Sequence, residues 1–267
     1  MNRLRLAAIS YLNTAPLMWD FDHGNLRRKY EVDYMLPSAC AERLSKGEVD
    51  VGIIPAAAYA TIPDLQIVPD VAIASRGPVR SILLVSKKPI DDVNTVALDT
   101  SSRSSVALLK VLFAKCYARN PEFVNAEPDL KKMLEKNDAA LLIGDPALTA
   151  DTTGYEVRDL GAEWTRFTGR PFVYAFWAVR KAADATTEVS RDLEWSRRHG
   201  ILAESIQAIA ELWAPILKLE EKDIVSYLTD NIHYRLDKSC IEGLRLFYQY
   251  AAECGALPGA PELQFLA

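Results

Sequence analysis

The stretch Arg3-Leu4-Arg5-Leu6-Ala7-Ala8-Ile9-Ser10-Tyr11-Leu12-Asn13-Thr14-Ala15-Pro16-Leu17 sets the plan of the chain. Arg3 to Ile9 is a short, mostly apolar run and reads as a first strand. It stops at a cluster of small polar groups. Pro16 then fits the first turn of a helix, where a missing N–H costs nothing. Ser10, Tyr11, Asn13 and Thr14 therefore fall on a strand-to-helix loop at the carboxyl end of a strand, which is where open α/β sheets bind ligands. The same residues also suit a plainer role, with Ser10 and Thr14 as helix caps and Asn13 in a turn.

Outward from this loop the pattern repeats. Tyr30 to Leu36 alternates and reads as a strand, and Ser38 to Lys46 as a helix with Ser38 as N-cap and Gly47 as its stop. Val49 to Ile54 is a short apolar strand, and Pro55 with three alanines opens the next helix. Strand, helix, strand, helix, strand means a parallel sheet. Ile67 to Ala74 continues the sheet, and Ser75 to Arg80 makes a basic turn. Ser81 to Ser86 is an apolar strand, broken by Lys87-Lys88-Pro89, which reads as the crossing into a second lobe.

That lobe repeats the first in outline. Thr95 to Leu98 is a strand that ends in Asp99-Thr100-Ser101-Ser102-Arg103-Ser104-Ser105, before a helix from Val106 to Ala118. Phe123-Val124 is a strand, Asp129 to Glu135 a helix, and Ala139 to Ile143 a strand ending in Gly144-Asp145-Pro146-Ala147. Tyr155 to Leu160 is a strand and Glu163 to Pro171 a loop. Phe172 to Val179 is a long apolar strand that runs back into the first lobe. Helical periodicity follows in 188–199, 201–213, 220–228 and 238–250, with Ser239 as a cap for the last, and a Pro- and Gly-containing tail begins at Leu257. The expected organisation is α/β, a two-lobed type II periplasmic-binding-protein-like fold with a ligand cleft between the lobes. Residues 1–87 and 175–267 make the first lobe, with the helical tail folded over it, and 88–174 the second.

Composition narrows the function. Of 267 residues, 49% are hydrophobic and 25% charged, which is ordinary for a globular protein. The formal net charge of -5 argues against a nucleic-acid partner. No apolar run approaches the roughly 20 residues that span a bilayer, and the start of the chain does not read as a signal peptide. Cys40, Cys116, Cys240 and Cys254 form no CxxC pair, so reduced thiols in a cytoplasmic protein are expected, with neither a disulfide frame nor a metal site.

The usual catalytic motifs are missing: no Walker A, no GxGxxG, no GxSxG. His23, His199 and His233 are far apart, and the last two are read as structural or surface residues. What remains is loops rich in hydroxyls. Thr100, Ser101 and Ser102 precede a helix whose N–H groups and dipole favour an anion such as a carboxylate, with capping by Asp99 or Thr100 alongside. Arg80, entering a strand beside Ser81, is read as a bidentate carboxylate clamp or as a surface Arg paired with a nearby acid. Gly144 permits a close backbone approach, and Asp145 either bonds a substrate hydroxyl or caps the next helix. Trp164 and Tyr174 are read as core. The set suits a small polar dianion.

Ser10–Leu17 and Gly47–Pro55 resemble the opening motifs of the chorismate dehydratases of the futalosine route to menaquinone. Ser75–Ser81, Ala140–Ala147 and Thr168–Ala175 are similar to that family's later signatures, so the likeness runs from residue 9 to about 180. It implies a lyase of the same two-lobed fold, with chorismate as small-molecule substrate and no cofactor. It implies catalytic roles for Asn13 and Ser81, and substrate binding by Ser10, Tyr11, Thr14, Arg80, Thr100, Ser101, Ser102, Gly144 and Asp145. The pathway's second enzyme of this fold, which cleaves a cyclic nucleoside-derived intermediate, is expected to carry a cleft histidine, and no histidine here lies in a motif loop. A solute-binding protein for a small carboxylate is the remaining alternative, and it calls for an export signal. A regulator's sensing module calls for a DNA-binding domain.

Overall fold

The structure, a computed structural model, describes residues 3–99, 101–183 and 187–266. Two five-stranded sheets carry it, with strands numbered in chain order. The first takes β1 (Arg5–Ile9), β2 (Glu31–Met35), β3 (Val51–Pro55), β4 (Leu65–Ser75) and, from far along the chain, β10 (Phe172–Arg180). The second takes β5 (Ile82–Ser86), β6 (Thr95–Asp99), β7 (Glu122–Ala126), β8 (Ala139–Ile143) and β9 (Glu156–Asp159). Their orders are β2-β1-β3-β10-β4 and β7-β6-β8-β5-β9. Three parallel strands, then one antiparallel strand, then an edge strand: the two lobes share one topology.

The antiparallel member of each sheet, β5 or β10, is the strand that follows a crossing between lobes. This corrects the expected crossing at Lys87-Lys88-Pro89. Strand β5 pairs with β8 and β9 in the second sheet, so the chain has already crossed by Ile82, within residues 76–81. The apolar run of β5 finds its pairing partners there and has none in the first lobe. The return crossing lies before Phe172, three residues earlier than the expected boundary.

Burial explains the strand sequences. All of β3 and β8, and β10 up to Val179, are buried, which is why they read as continuous apolar runs and do not alternate. Between β2 and β3 the helix Pro37–Lys46 ends at Gly47, whose φ of 74° is the left-handed stop a glycine allows. Ser38 is not its cap: the helix starts at Pro37, and the Ser38 N–H goes to the carbonyl of Ser101 in the other lobe at 3.1 Å. Residues 163–168, the greater part of the expected loop 163–171, belong to helix Leu160–Thr168, because Asp159 caps it by accepting from the Ala162 N–H and Trp164 is buried on its inner face.

The C-terminal helices do more than cover the first lobe. Thr187–Gly200 packs on the loop after β1, whereas Lys238–Glu253 lies on both β10 and the second lobe's helix Arg103–Lys115. Lys115 and Glu253 pair at 2.7 Å across that junction. Asp237, not Ser239, caps the last helix. The terminal tail returns to β4, where the Ile67 N–H donates to Gln264 O and the Leu266 N–H to Ile67 O, covering an otherwise open sheet edge.

One contact ties the tail to the loop after β1. A Cβ added at Gly200 would stand 1.8 Å from the Pro16 carbonyl oxygen. Gly200→Ala is expected to cost about 1–3 kcal/mol through overpacking, seen as a fall of several degrees in Tm. An unchanged Tm would show that this junction is loosely packed.

Candidate active site

The carboxyl ends of β1, β3 and β8 converge with the start of β5 and the beginning of β10 around a cavity of about 40 Å³. Ile9, Tyr11, Asn13 and Pro55 come from the first lobe, Val79, Ser81 and Ile82 from the crossing, and Ser102, Ser105, Ile143 and Gly144 from the second lobe. Tyr174 and Ala175 on β10 complete the wall.

The loop after β1 forms a 3-10 helix, Leu12–Met18, with Pro16 inside it and not at its first turn. Asn13 projects from this helix into the cavity. The Thr14 hydroxyl, buried behind it, donates to Asn13 Oδ1 at 3.3 Å, which leaves the Asn13 NH2 free to donate elsewhere. Tyr11 reaches across to the second lobe, its hydroxyl 3.3 Å from Ser101 Oγ. Burial pushes its phenol up to about 12, so it stays protonated. Gly144, with a φ of +60°, lies under the Tyr11 ring, where an added Cβ would be 2.5 Å from a ring carbon. A side chain at 144 would thus lift Tyr11 off the second lobe.

The hydroxyl run is divided by role. Ser102 caps helix Arg103–Lys115, accepting from the Ser105 N–H at 3.1 Å and donating to Ser105 Oγ at 2.9 Å, and both serines line the cavity. Ser101 donates from N–H and hydroxyl to Asp99 Oδ1 at 2.9 and 2.6 Å. Burial raises the Asp99 carboxyl, and its Oδ2 has no partner among the described residues. Ser104 accepts from the Ala57 N–H and donates to Tyr174 O, joining the lobes. Thr100 lies outside the described residues.

Two expected ligands point elsewhere. Arg80 does not line the cavity: its guanidinium donates to the Asp223 carbonyl at 3.3 Å, and its φ of +62° follows from the tight crossing. Its N–H and that of Val79 both go to the Asp159 carboxylate, at 2.6 and 3.0 Å. Asp145 does not line the cavity either. Its Oδ1 accepts from the Leu12 N–H at 3.0 Å, across the lobes, and burial raises its carboxyl to about 6. Ser10 faces an outer groove of about 310 Å³ with Trp19, His23, Tyr34 and Trp213. Among the described residues lining the inner cavity there is no histidine, lysine or arginine, so its donors are neutral hydroxyls, an amide and the start of a helix.

The menaquinone biosynthesis family matches residues 4–253. A chorismate dehydratase of Thermus thermophilus is 32% identical over 270 residues, covering 94% of each chain. This chain belongs to the menaquinone biosynthesis family. Its fold recurs in a protein of Archaeoglobus fulgidus, at 22% identity, TM-score 0.73, and 96% and 98% of the two chains. It recurs also in the alkanesulfonate-binding protein SsuA of Xanthomonas axonopodis pv. citri, bound to MOPS, at 17% identity, TM-score 0.68, and 97% and 95%. At these identities the likeness is one of fold alone, and it establishes the two-lobed periplasmic-binding-protein architecture.

In this member of the menaquinone biosynthesis family the cavity also uses residues that sequence reasoning passed over. Tyr174, expected in the core, is buried at 7% exposure yet lines the cavity, its hydroxyl 2.9 Å from Ser75 Oγ. In the run Phe172–Val179 it and Trp177 are the only side chains with a polar atom, which is the signal that marks it. Tyr227, discussed below, had no local signal. Elsewhere His233, Asp237 and Cys240 bring ligand atoms within 4.8 Å of one another. Arg76 already bonds Asp237 Oδ2 at 2.5 Å, so a guanidinium fills that corner. Among the described residues no single helix is long and apolar enough to cross a membrane.

Asp145 gives a pH-dependent expectation. Its folded pKa of about 6 lies above its ordinary value of 3.8. The folded state therefore holds the proton more tightly, and the stabilisation is full below about pH 4. It is lost as pH rises toward 6. Thermal unfolding across that window should show a flatter pH dependence for Asp145→Asn than for the parent. Parallel curves would exclude a raised Asp145.

Proposed function

We propose that this protein dehydrates chorismate to 3-[(1-carboxyvinyl)oxy]benzoate, as a carbon–oxygen lyase of menaquinone biosynthesis acting in the cytoplasm. The observation that carries the reading is the relative from Thermus thermophilus, named a chorismate dehydratase and alike across 94% of both chains. The cavity is compatible with it: supplied with neutral donors, and without a side chain built for strong acid–base work.

Loss of water leaves no electrons to be collected, and aromatisation of the ring favours product. The protein's task is to hold a dicarboxylate in one pose, exclude water and steady developing charge. The ring carbon bearing the enolpyruvyl ether gives up its proton, and charge passes into the ring carboxylate. The neighbouring hydroxyl then leaves with a proton as water. The Asn13 NH2, freed by the bond from Thr14 to its carbonyl oxygen, donates to the enolate-like carboxylate. Ser81 holds a carboxylate, and Ser102 with Ser105 at the helix start receives the other. The proton acceptor is the substrate's own side-chain carboxylate or a bound water, since Asp145, the nearby acid, is turned to the Leu12 N–H.

Mixing the protein with chorismate alone and following mass should yield an aromatic species lighter by one water. Chorismate bound and returned intact would identify a binding protein instead. Asn13→Ala should lower kcat about 100-fold or more, the loss typical of a donor to a developing oxyanion. Near-parental turnover would remove Asn13 from this role.

A further inference from the structure

Ser81 is held from behind by a residue of the C-terminal extension. The helix Glu221–Ser226 runs into a single π-turn, Tyr227–Asn231. Such a turn changes which side chains face inward and often accompanies a functional position. It directs Tyr227 to the lobe crossing, where the ring is 1% exposed. The Tyr227 hydroxyl donates to Ser81 Oγ at 2.9 Å. Tyr227 thus holds the cavity-lining Ser81 without lining the cavity itself.

The surrounding contacts fix this arrangement. Asn231 Nδ2 donates to Pro78 O at 3.0 Å, and Arg80 Nη1 donates to Asp223 O at 3.3 Å. The segment 221–231 is therefore bonded to residues 78, 80 and 81 of the crossing. Burial raises the Tyr227 phenol further above its ordinary value, so it remains a donor throughout the working pH range. With Tyr227 donating to Ser81 Oγ, the serine's own proton has, among the described residues, only the Val79 carbonyl, at a weak 3.4 Å, to satisfy it. That proton is free to turn to a bound anion.

We propose that Tyr227 is a positioning residue for the elimination: it sets the Ser81 hydroxyl as a donor into the cavity. The proposal rests on the dehydratase reading above. It makes the C-terminal extension part of the catalytic apparatus, through a hydroxyl that does not touch substrate.

The test is Tyr227→Phe, which keeps the ring and removes the hydroxyl, assayed with chorismate beside the parent protein. The kcat should fall roughly tenfold, as one lost hydrogen bond predicts, with KM within about twofold and Tm nearly unchanged. Tyr234→Phe is the control, since that hydroxyl is also buried but has no partner among the described residues, and it should leave kcat intact. In a Ser81→Ala background, Tyr227→Phe should add no further loss, because the group it positions is gone. A full-rate Tyr227→Phe, an equal loss in Tyr234→Phe, or losses that multiply with Ser81→Ala would each overturn the proposal while the parent's turnover upholds the dehydratase reading. If Tyr227→Phe melts much earlier than the parent, a fluorotyrosine at 227, which keeps ring and hydroxyl, should restore both Tm and kcat; restored Tm with kcat still low would overturn it. A parent protein that leaves chorismate intact would overturn the reading and the proposal together.

Discussion

The Asp159 carboxylate receives the backbone N–H groups of Val79, Arg80 and Ala162 at 2.6–3.0 Å. Three donors on one short side chain join the crossing between lobes to the start of helix Leu160–Thr168. Backbone N–H groups left unbonded in a buried turn would be costly, and Arg80 sits in a left-handed conformation that a non-glycine residue adopts only when its surroundings hold it there. The position of Ser81 follows from that restraint. So does the direction of β5, and with it the second sheet. On its other side the crossing is bonded by the segment 221–231, so the hinge of the two lobes is gripped from both flanks.

The cleft is built around this hinge as a closed arrangement. Tyr11 to Ser101, Leu12 to Asp145, Ser38 to Ser101 and Ser104 to Tyr174 all bridge the lobes. These bonds use much of the polar equipment that the sequence offers as ligands. What they leave for an anion is a smaller set: the Asn13 amide, the Ser81 hydroxyl, and Ser102 with Ser105 at a helix start. Neutral donors suit a reaction in which charge moves within the substrate, because they can follow that charge without competing for a proton.

Much of the fold is legible in the sequence because the parallel strands are short apolar runs that end in loops of small polar residues. The cavity residues Tyr11, Asn13, Ser81, Ser102 and Gly144 are legible for the same reason: each sits where such a run meets a loop. The rest depends on contacts distant in sequence. Nothing around Lys87-Lys88-Pro89 tells that β5 pairs with β8, and nothing near Arg80 tells that Asp223 will take its guanidinium. Asp145 follows a strand and so resembles a ligand, yet it faces Leu12, a residue 133 positions away. Tyr227 lies in an ordinary helical pattern, and its importance comes from a π-turn and a partner 146 residues away. Helix Leu160–Thr168 was hidden because its cap, Asp159, reads as the end of a strand.

The shared sheet order has a consequence for how the chain is made. The second lobe's strands run without interruption from Ile82 to Asp159, so that lobe has all its strands once they have left the ribosome. The first lobe does not. Strand β10 sits between β3 and β4, and until it is synthesised both face an empty slot in the middle of their sheet. The lobe that begins the sequence therefore finishes folding last, after its neighbour, with two exposed apolar edges waiting for Phe172–Arg180. A stalled or truncated chain ending in the second lobe would present those edges to other chains, and its failure would be aggregation of the first lobe rather than loss of the second.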